Sequence, residues 1–187
     1  MFTRELSVPG SEKMKYDKSE FVFSQCKAGC IDEICDIQEE TFEMLSDNTD
    51  VLRRNSREML LECLCEPHYT IGAYHNGKLA GFAVLYVPGT GKENIGKDIG
   101  IAESELNTVA NIKLVIVRPE YRGNGLQKKL TEKLENEAKN KGYKVLCLTV
   151  SPDNIFSRRN VESSGYVFHS QKLKYDNLLR NIYYKYI

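Results

Sequence analysis

One stretch in the middle of the chain, NIKLVIVRPEYRGNGLQKKLTEKL at residues 111–134, restricts the fold more than any other. The mostly apolar residues 112–117 predict a buried strand, and a four-residue apolar spacing beyond the glycines predicts a helix over 126–140. The positions that recur are Leu126, Leu130, Leu134 and Ala138. A second apolar run at 144–150 predicts another strand. Strand, helix and strand at this spacing predict a βαβ unit with parallel strands and a right-handed crossover.

The chain before this unit is predicted to begin with a strand and two helices. A short strand is expected at 21–25, and apolar positions at helical spacing predict a helix from Ile31 that ends in the polar run at 46–50. Asn55 and the glutamate three residues later resemble a capping box, so a second helix is expected to start there and to end before Pro67.

Two runs of strand-forming residues, YTIGAY and LAGFAVLYV, flank the pair Asn76 and Gly77. This pair strongly favours a two-residue hairpin turn, so the two runs are predicted to form an antiparallel pair. Residues 88–108 are rich in glycine and charge and predict a loop that carries a short helix. After the βαβ unit, a helix near 155–164 and two strands are expected, YVFHSQKLKY and RNIYYKYI.

Length, composition and charge limit the class of protein. With 187 residues and 41% of them hydrophobic, we expect a single domain over 19–187, and residues 1–18 are predicted to form a tail or an irregular lead-in. The 26 basic and 26 acidic residues cancel, which removes the electrostatic reason to expect nucleic acid or an anionic membrane as partner. Without a long apolar run or a recognisable signal peptide, we expect a cytoplasmic protein. Its expected state is a monomer or a homodimer.

The cysteines and histidines do not predict a metal site. No two of the six cysteines form a CxxC pair, and the three histidines lack ligand spacing. A disulfide framework is not expected in a chain of this size without a secretion signal. We therefore expect free thiols, most of them buried, at Cys26, Cys30, Cys35, Cys63, Cys65 and Cys147.

The Arg-Gly-Asn-Gly segment at 122–125 connects the predicted strand to the predicted helix. In open α/β sheets, ligands bind beyond the carboxyl ends of strands, where a glycine-rich turn lets backbone N–H groups approach an anion at a helix N-terminus. A dinucleotide fingerprint would need a third glycine where this chain has Lys128, and the GxxxxGK[ST] motif is absent. From spacing alone, the glycines can equally serve only as a tight connection.

The identities of the residues favour a ligand. VRPEYRGNGLQKKL resembles the cofactor loop of the GNAT superfamily of acyl-CoA-dependent N-acetyltransferases, with Gln127 where the family pattern has Gly or Ala. SPDNIFSRRNVESSGY is similar to a second element of that family, with the matching positions Asn154, Ser157, Gly165 and Tyr166. The resemblance covers residues 20–186.

This resemblance implies an α/β (α+β) fold, with a mainly antiparallel central sheet, helices on both faces and a parallel βαβ cofactor unit. It implies acetyl-CoA as acyl donor, with backbone groups of Ile116 and Val117 on one side of the pantetheine arm and Asn154 and Ser157 on the other. The pyrophosphate would be cradled by Arg122, Gly123, Asn124, Gly125, Leu126 and Gln127. The nearby cations, which could attract phosphates or be solvated surface charges, are Arg118, Lys128, Lys129, Arg158 and Arg159.

The implied chemistry is direct acetyl transfer to an amine. This reaction requires an unprotonated amine, a donor for the developing oxyanion and an acid for the departing thiolate. By the resemblance, the oxyanion donor is the backbone N–H of Val117 or its neighbour, and the usual acid is a tyrosine at the position held here by Val161. Acid and base stay unassigned, although polar residues occur nearby at Asn111, Lys113, Ser157, Tyr166 and Tyr175.

Evidence about the acceptor comes from an acidic run. Residues 32–50 carry eight carboxylates and no lysine or arginine, and they either form a solvated helix face or border the acceptor site and attract a cationic amine. These carboxylates are Asp32, Glu33, Asp36, Glu39, Glu40, Glu43, Asp47 and Asp50. We expect an N-acetyltransferase acting on a small primary amine. The alternatives are a non-catalytic acyl-CoA-binding or sensing module and, less favoured, an enzyme that binds ATP or NAD at the loop.

Overall fold

The βαβ unit lies in the middle of a single twisted sheet. A computed structural model describes residues 16–17, 20–45, 49–175 and 177–187, and within them seven strands form a sheet in the order β1-β2-β3-β4-β5-β7-β6. The strands are β1 (Phe21–Gln25), β2 (Tyr69–His75), β3 (Lys78–Tyr86), β4 (Val109–Val117), β5 (Val145–Val150), β6 (Val167–Lys174) and β7 (Leu178–Tyr186). Strands β4 and β5 are parallel, and the other neighbouring strands are antiparallel. The predicted fold class and the parallel βαβ unit are confirmed.

Four α-helices accompany this sheet in the described part of the chain. They are α1 (Ile31–Leu45), α2 (Arg57–Glu62), α3 (Leu126–Asn140) and α4 (Ile155–Ser163). In place of one short helix, residues 88–108 contain two 3₁₀ helices, Ile95–Ile99 and Glu103–Thr108. Most of the predicted tail, residues 1–15 and 18, and part of the predicted end of the first helix, residues 46–48, lie outside the described residues.

Each face of the sheet is covered by a separate apolar core. On one face, α3 buries the residues that recur every fourth position, and Leu130 and Leu134 are fully inaccessible to solvent. On the other face, Ile34 and Ile37 of α1 pack with Leu60 of α2 against the sheet. Truncating a leucine buried to this degree to alanine costs about 2–5 kcal/mol, so both helices are held chiefly by this packing.

Turn and cap residues fix the connections between these elements. Asn76 and Gly77 both have positive φ, at 49° and 78°, as the predicted hairpin turn between β2 and β3 requires. The prediction that Asn55 caps the second helix was wrong, because Ser56 is the N-cap and accepts a hydrogen bond from the Met59 N–H. Asn55 instead donates its backbone N–H to Oε1 of Gln38 over 3.0 Å, which ties α1 to the start of α2.

Candidate active site

The sheet opens between its two parallel strands. Residues 109–111 of β4 pair with residues 145–147 of β5, and beyond this point no further β4–β5 pair forms among the described residues. A register shift in the β3–β4 pairing coincides with a positive φ of 54° at Leu114, which marks a β-bulge. The bulge turns β4 away from β5. The result is a split in the sheet, bordered on the β4 side by the half-buried residues Leu114 and Val115.

The end of β4 carries the two residues predicted to contact the pantetheine arm. Ile116 and Val117 are buried, and they pair with Phe82 and Gly81 of β3, respectively. A Cβ atom on Gly81 would lie 2.7 Å from the Ile116 carbonyl oxygen, so this close approach of β3 requires glycine. The Val117 carbonyl oxygen accepts a hydrogen bond from Nε of Arg122 over 3.0 Å.

The glycine-rich loop leads directly into α3. Gly123 and Gly125 have φ values of 88° and 73°, which L side chains rarely adopt. Gly125 is the N-cap of α3, no side chain caps the helix, and its first turn carries no acidic residue. A Cβ on Gly125 would meet open space. The unpaired N–H groups and the positive end of this 15-residue helix therefore fit a phosphate group.

Three other residues of the predicted cradle hold the loop in place. Nδ2 of Asn124 donates to the Tyr121 carbonyl oxygen over 3.0 Å, and Oδ1 of Asn124 accepts from the Tyr16 N–H over 3.1 Å. Leu126 is buried in the α3 core. Gln127 accepts a hydrogen bond from Nδ2 of Asn160 over 2.5 Å. Since these side chains are engaged within the protein, the loop can offer a ligand mainly its backbone.

The second predicted element begins α4 on the other side of the split. Asn154 is the N-cap of α4, and its Oδ1 accepts a hydrogen bond from the Ser157 N–H over 3.0 Å. The hydrogen bond between Gln127 and Asn160 joins α3 to α4, so the structure brings the two sequence elements together. Val161 packs partly buried against the α3-side core, and no hydroxyl group is present at its position.

The predicted cations have different surroundings. The expectation of a solvated surface charge was wrong for Arg118, because this residue is buried, donates through Nε to the Leu79 carbonyl oxygen over 2.9 Å and forms an ion pair with Glu40 of α1. Lys128 and Arg159 are exposed. The remaining two cations are Lys129, with Nζ 5.9 Å from the Phe23 ring, and Arg158, which donates to the Pro152 carbonyl oxygen over 3.3 Å.

A group of polar side chains lies on the sheet face that α1 and α2 cover, beside the split. We call it the polar cluster and define it as Arg53, Glu93, Lys113, Thr149, Tyr175 and Arg180. Lys113 and Thr149 each lie two residues beyond the last β4–β5 pair, Asn111 with Cys147, and therefore share one face of the two strands. The polar cluster consequently borders the opening.

Contacts across the polar cluster connect loops that are distant in sequence. The Arg53 guanidinium lies 4.7 Å from the centre of the Tyr175 ring, and the Tyr175 hydroxyl is 3.3 Å from Oγ1 of Thr149. Glu93 forms an ion pair with Lys113 at 3.3 Å and a longer one with Arg53 at 3.8 Å. Burial lowers the pKa of Lys113, and Glu93 opposes this shift. Of the polar cluster, sequence reasoning named Lys113 and Tyr175 but missed the rest.

Other possible sites are limited in the described part of the chain. No group of three or more His, Cys, Asp or Glu residues there could hold a metal ion, and no helix there is long and apolar enough to cross a membrane. The six cysteines are free thiols, of which Cys26, Cys63 and Cys147 are buried.

Comparisons with known proteins agree with this geometry. Residues 31–166 match the model of the acetyltransferase (GNAT) family. The fold is similar to that of the ribosomal-protein-S18-alanine N-acetyltransferase from Escherichia coli, with a TM-score of 0.67 and 19% identity over 89% of this chain and 94% of that chain. No curated protein sequence matches this chain significantly.

Two further structures share the fold. A GNAT-family acetyltransferase from Streptococcus pneumoniae has a TM-score of 0.67 and 17% identity over 90% of this chain and 100% of that chain. A putative acetyltransferase from Salmonella typhimurium, solved with its cofactor acetyl-CoA, has a TM-score of 0.65 and 16% identity over 89% of this chain and 94% of that chain. At these identities the structural similarity shows the fold, whereas the family match covers most of the chain. The chain therefore belongs to the GNAT family of acetyltransferases, acyl-CoA-dependent enzymes that use acetyl-CoA as donor.

Proposed function

We propose that this protein transfers the acetyl group of acetyl-CoA directly to the amine of a small molecule. The observation that carries the proposal is the uncapped N-terminus of α3, which lies at the end of β4 beside the split in the sheet. An anion at this helix end gains from the unpaired N–H groups and from the helix dipole. An extended arm attached to that anion can then enter the split and form hydrogen bonds with the free backbone of β4.

The residues predicted from sequence would hold the donor from two sides. Backbone N–H groups of residues 122–127 would bind the pyrophosphate, and Ile116 and Val117 would present backbone groups to the pantetheine arm. Asn154 and Ser157, at the start of α4, would contact the arm from the β5 side. The Val117 carbonyl oxygen already accepts a hydrogen bond from Arg122. Backbone groups of β4 nearer to the bulge would therefore form more of the hydrogen bonds to the pantetheine arm.

Acetyl-CoA supplies an activated thioester, and the chain has to orient it and stabilise charge. As the amine nitrogen bonds to the thioester carbon, negative charge develops on the carbonyl oxygen, and a backbone N–H at the end of β4 would stabilise it. The C–S bond then breaks, the electron pair stays on sulfur, and the proton lost by nitrogen reaches the thiolate through solvent. Since Val161 carries no hydroxyl group, we assign no side chain to this proton transfer.

The proposal of a small acceptor is supported by the enclosure of the polar cluster. Arg53 lies in the connection between α1 and α2, and Tyr175 lies in the turn between β6 and β7. The contact between the guanidinium and the ring joins the two connections beside the split. Two loops in contact leave less room for a polypeptide acceptor than for a compact amine. The Escherichia coli neighbour is named for acetylating an alanine of a ribosomal protein, so a polypeptide acceptor is the alternative to a small amine.

The proposal can be tested in two steps. Calorimetry should first show micromolar binding of acetyl-CoA and of CoA, with no binding of ATP or NAD under the same conditions. Release of the CoA thiol should then be measured with a panel of small amines and with short peptides that have free N-termini. We expect turnover that requires an added small amine. Failure of acetyl-CoA to bind would refute the donor site, and faster turnover of peptides would refute the small acceptor.

A further inference from the structure

Arg180 is a buried cation whose hydrogen-bonding capacity is incompletely used. The residue is only 4% exposed, and Nη1 donates to the Leu179 carbonyl oxygen over 2.9 Å. Its Nη2 is buried without a hydrogen-bond partner among the described residues. A guanidinium carries five N–H donors and is rarely buried without an anion, because an unsatisfied buried polar group costs free energy. This residue therefore requires an explanation beyond packing.

The position of Arg180 places it beside the split. Ile182 of β7 is the cross-strand partner of Thr149 of β5, and the two side chains therefore share a face of the sheet. Arg180 lies two residues from Ile182 along the same strand and points to the same face. Arg180 thus belongs to the face where Lys113, Thr149 and Tyr175 meet.

Positive charge exceeds negative charge within the polar cluster. Its three cations are Arg53, Lys113 and Arg180, its carboxylate is Glu93, and Asp50 adds one further negative charge near Arg180. Glu93 already contacts both Lys113 and Arg53, and the contact with Arg53 is long, at 3.8 Å. Burial lowers the pKa of Arg180, an effect opposed by Tyr175 and Asp50. An additional anion in this place would stabilise the charged guanidinium.

Four of the eight carboxylates in the acidic run predicted to attract a cationic amine are engaged in other contacts. Asp32 forms an ion pair with Arg57 at 2.6 Å, Glu39 pairs with Arg54, and Glu40 pairs with the buried Arg118. Glu33 accepts a hydrogen bond from the Leu79 N–H over 3.0 Å. Four carboxylates of α1 are thus engaged with the protein itself, and the polar cluster presents the opposite charge to the split.

We infer that the acceptor is an amine that also carries a carboxylate, and that Arg180 and Arg53 bind this carboxylate while the amine faces the split. The inference rests on the proposed acetyl transfer and specifies the class of acceptor. A planar guanidinium can hold a carboxylate through two parallel hydrogen bonds, which would satisfy the unused Nη2. The Tyr175 ring beneath Arg53 would keep the second guanidinium in place.

The test uses matched pairs of amines that differ only in the carboxylate. Release of the CoA thiol is measured for each of the standard L-amino acids and for the corresponding amino-acid carboxamide. In parallel, NMR measures binding of the N-acetyl amino acids and of their amides to the CoA-saturated protein, which reports on the site without turnover. We expect at least one carboxylate member to exceed its amide about 10-fold or more in kcat/KM or in affinity.

Variants separate a specific contact from a general charge effect. Arg180→Met should remove the preference for the carboxylate by raising KM or Kd about 10-fold or more, with little change for the amide. Arg54→Met removes the same charge from an exposed arginine that pairs with Glu39, and it should preserve the preference. Acetyl-CoA should bind both variants as tightly as it binds the parent protein.

The possible outcomes distinguish the inference from the proposed function. Turnover of amides as fast as of amino acids, with normal binding of acetyl-CoA, would overturn the inference and leave acetyl transfer intact. The inference would also be overturned if the protein binds acetyl-CoA but shows no turnover that depends on the carboxylate and no binding of any N-acetyl amino acid that depends on Arg180. Failure of the parent protein to bind acetyl-CoA would instead refute the proposed function.

Discussion

Nε of Arg122 donates a hydrogen bond to the carbonyl oxygen of Val117 over 3.0 Å. The arginine of the loop is therefore fastened to the last residue of β4. This bond and the side-chain bonds of Asn124 set the path of the backbone between the strand and α3. Only the terminal N–H groups of Arg122 remain available for a phosphate. The residue would therefore act on acetyl-CoA in two ways, by shaping the loop and by supplying charge.

Arg122→Lys should separate these two contributions. Lysine keeps the positive charge but cannot reproduce the Nε hydrogen bond to Val117, which as a bond from a charged donor contributes about 1.5–3 kcal/mol. We expect calorimetry to show acetyl-CoA affinity at least about tenfold weaker than in the parent protein. Equal affinity of the two proteins would show that Arg122 contributes charge alone.

Gly125→Asp should abolish binding of the donor while the fold is retained. The new side chain enters open space at the N-terminus of α3, and aspartate tolerates the positive φ at a cost of about 1 kcal/mol. Its negative charge would occupy the proposed pyrophosphate position. We expect calorimetry to show an acetyl-CoA affinity reduced at least about tenfold, with thermal unfolding close to that of the parent.

Gly125→Asn is the matched control for this substitution. Asparagine has nearly the same shape and the same tolerance of positive φ, but it carries no charge. We expect it to weaken binding of acetyl-CoA clearly less than aspartate does. Folded aspartate and asparagine variants with unchanged affinity would place the pyrophosphate elsewhere.

Local sequence patterns predicted the parts of the fold that local physics determines. Apolar runs located β4 and β5, apolar residues at every fourth position located α3, and the Asn76–Gly77 pair located the hairpin, because these signals depend on residues close in sequence. The N-cap of α2 was misplaced by one residue. Asn55 and Ser56 both have capping side chains, and the tertiary contact of Asn55 with Gln38 decides between them.

Long-range contacts could not be predicted in the same way. Arg118 follows a strand in the sequence and resembles a surface cation, yet its ion pair with Glu40 spans 78 positions of the chain. The polar cluster is assembled from the α1–α2 connection, from β4, β5 and β7, and from two further loops. Nothing in the local sequence of Arg53 or Arg180 indicates that both lie near Tyr175. The position of Arg180 on the same sheet face as Thr149 follows only from the pairing of β5 with β7.

Arg118→Met should destabilise the protein much more than Arg54→Met. The Arg118 side chain is 6% exposed, and its loss leaves Glu40 and the Leu79 carbonyl oxygen without this partner. Breaking a buried ion pair costs about 3–5 kcal/mol, and partial exposure of Glu40 reduces our expectation to about 2–4 kcal/mol. The Arg54–Glu39 pair is exposed on both sides, so its loss should cost at most about 1 kcal/mol. Urea unfolding measures both, and similar losses would contradict a structural role for Arg118.

Buried thiols provide a prediction about reactivity and pH. Burial raises the pKa of Cys26 to about 12, of Cys63 to about 11 and of Cys147 to about 12, from an ordinary value of 9.0. Since only the thiolate is nucleophilic, these three cysteines should react with a disulfide reagent at pH 8 at least about 100-fold more slowly than the exposed Cys65. Cys65→Ser should remove the fastest phase, which belongs to the exposed thiol, and leave unchanged the reactions of the half-buried Cys30 and Cys35 and of the three buried cysteines.

The same three pKa values predict how these thiols affect stability at alkaline pH. A group whose pKa is raised on folding binds its proton more tightly in the folded state, so its contribution is complete below pH 9.0 and declines as the pH rises toward about 11–12. Urea unfolding should show a free energy of unfolding that falls between pH 9 and pH 10.5. Cys63→Ala should make this fall shallower than in the parent protein, whereas Cys65→Ala should leave its slope unchanged. An identical slope in the Cys63→Ala variant would show that the thiol of Cys63 is not protected by burial.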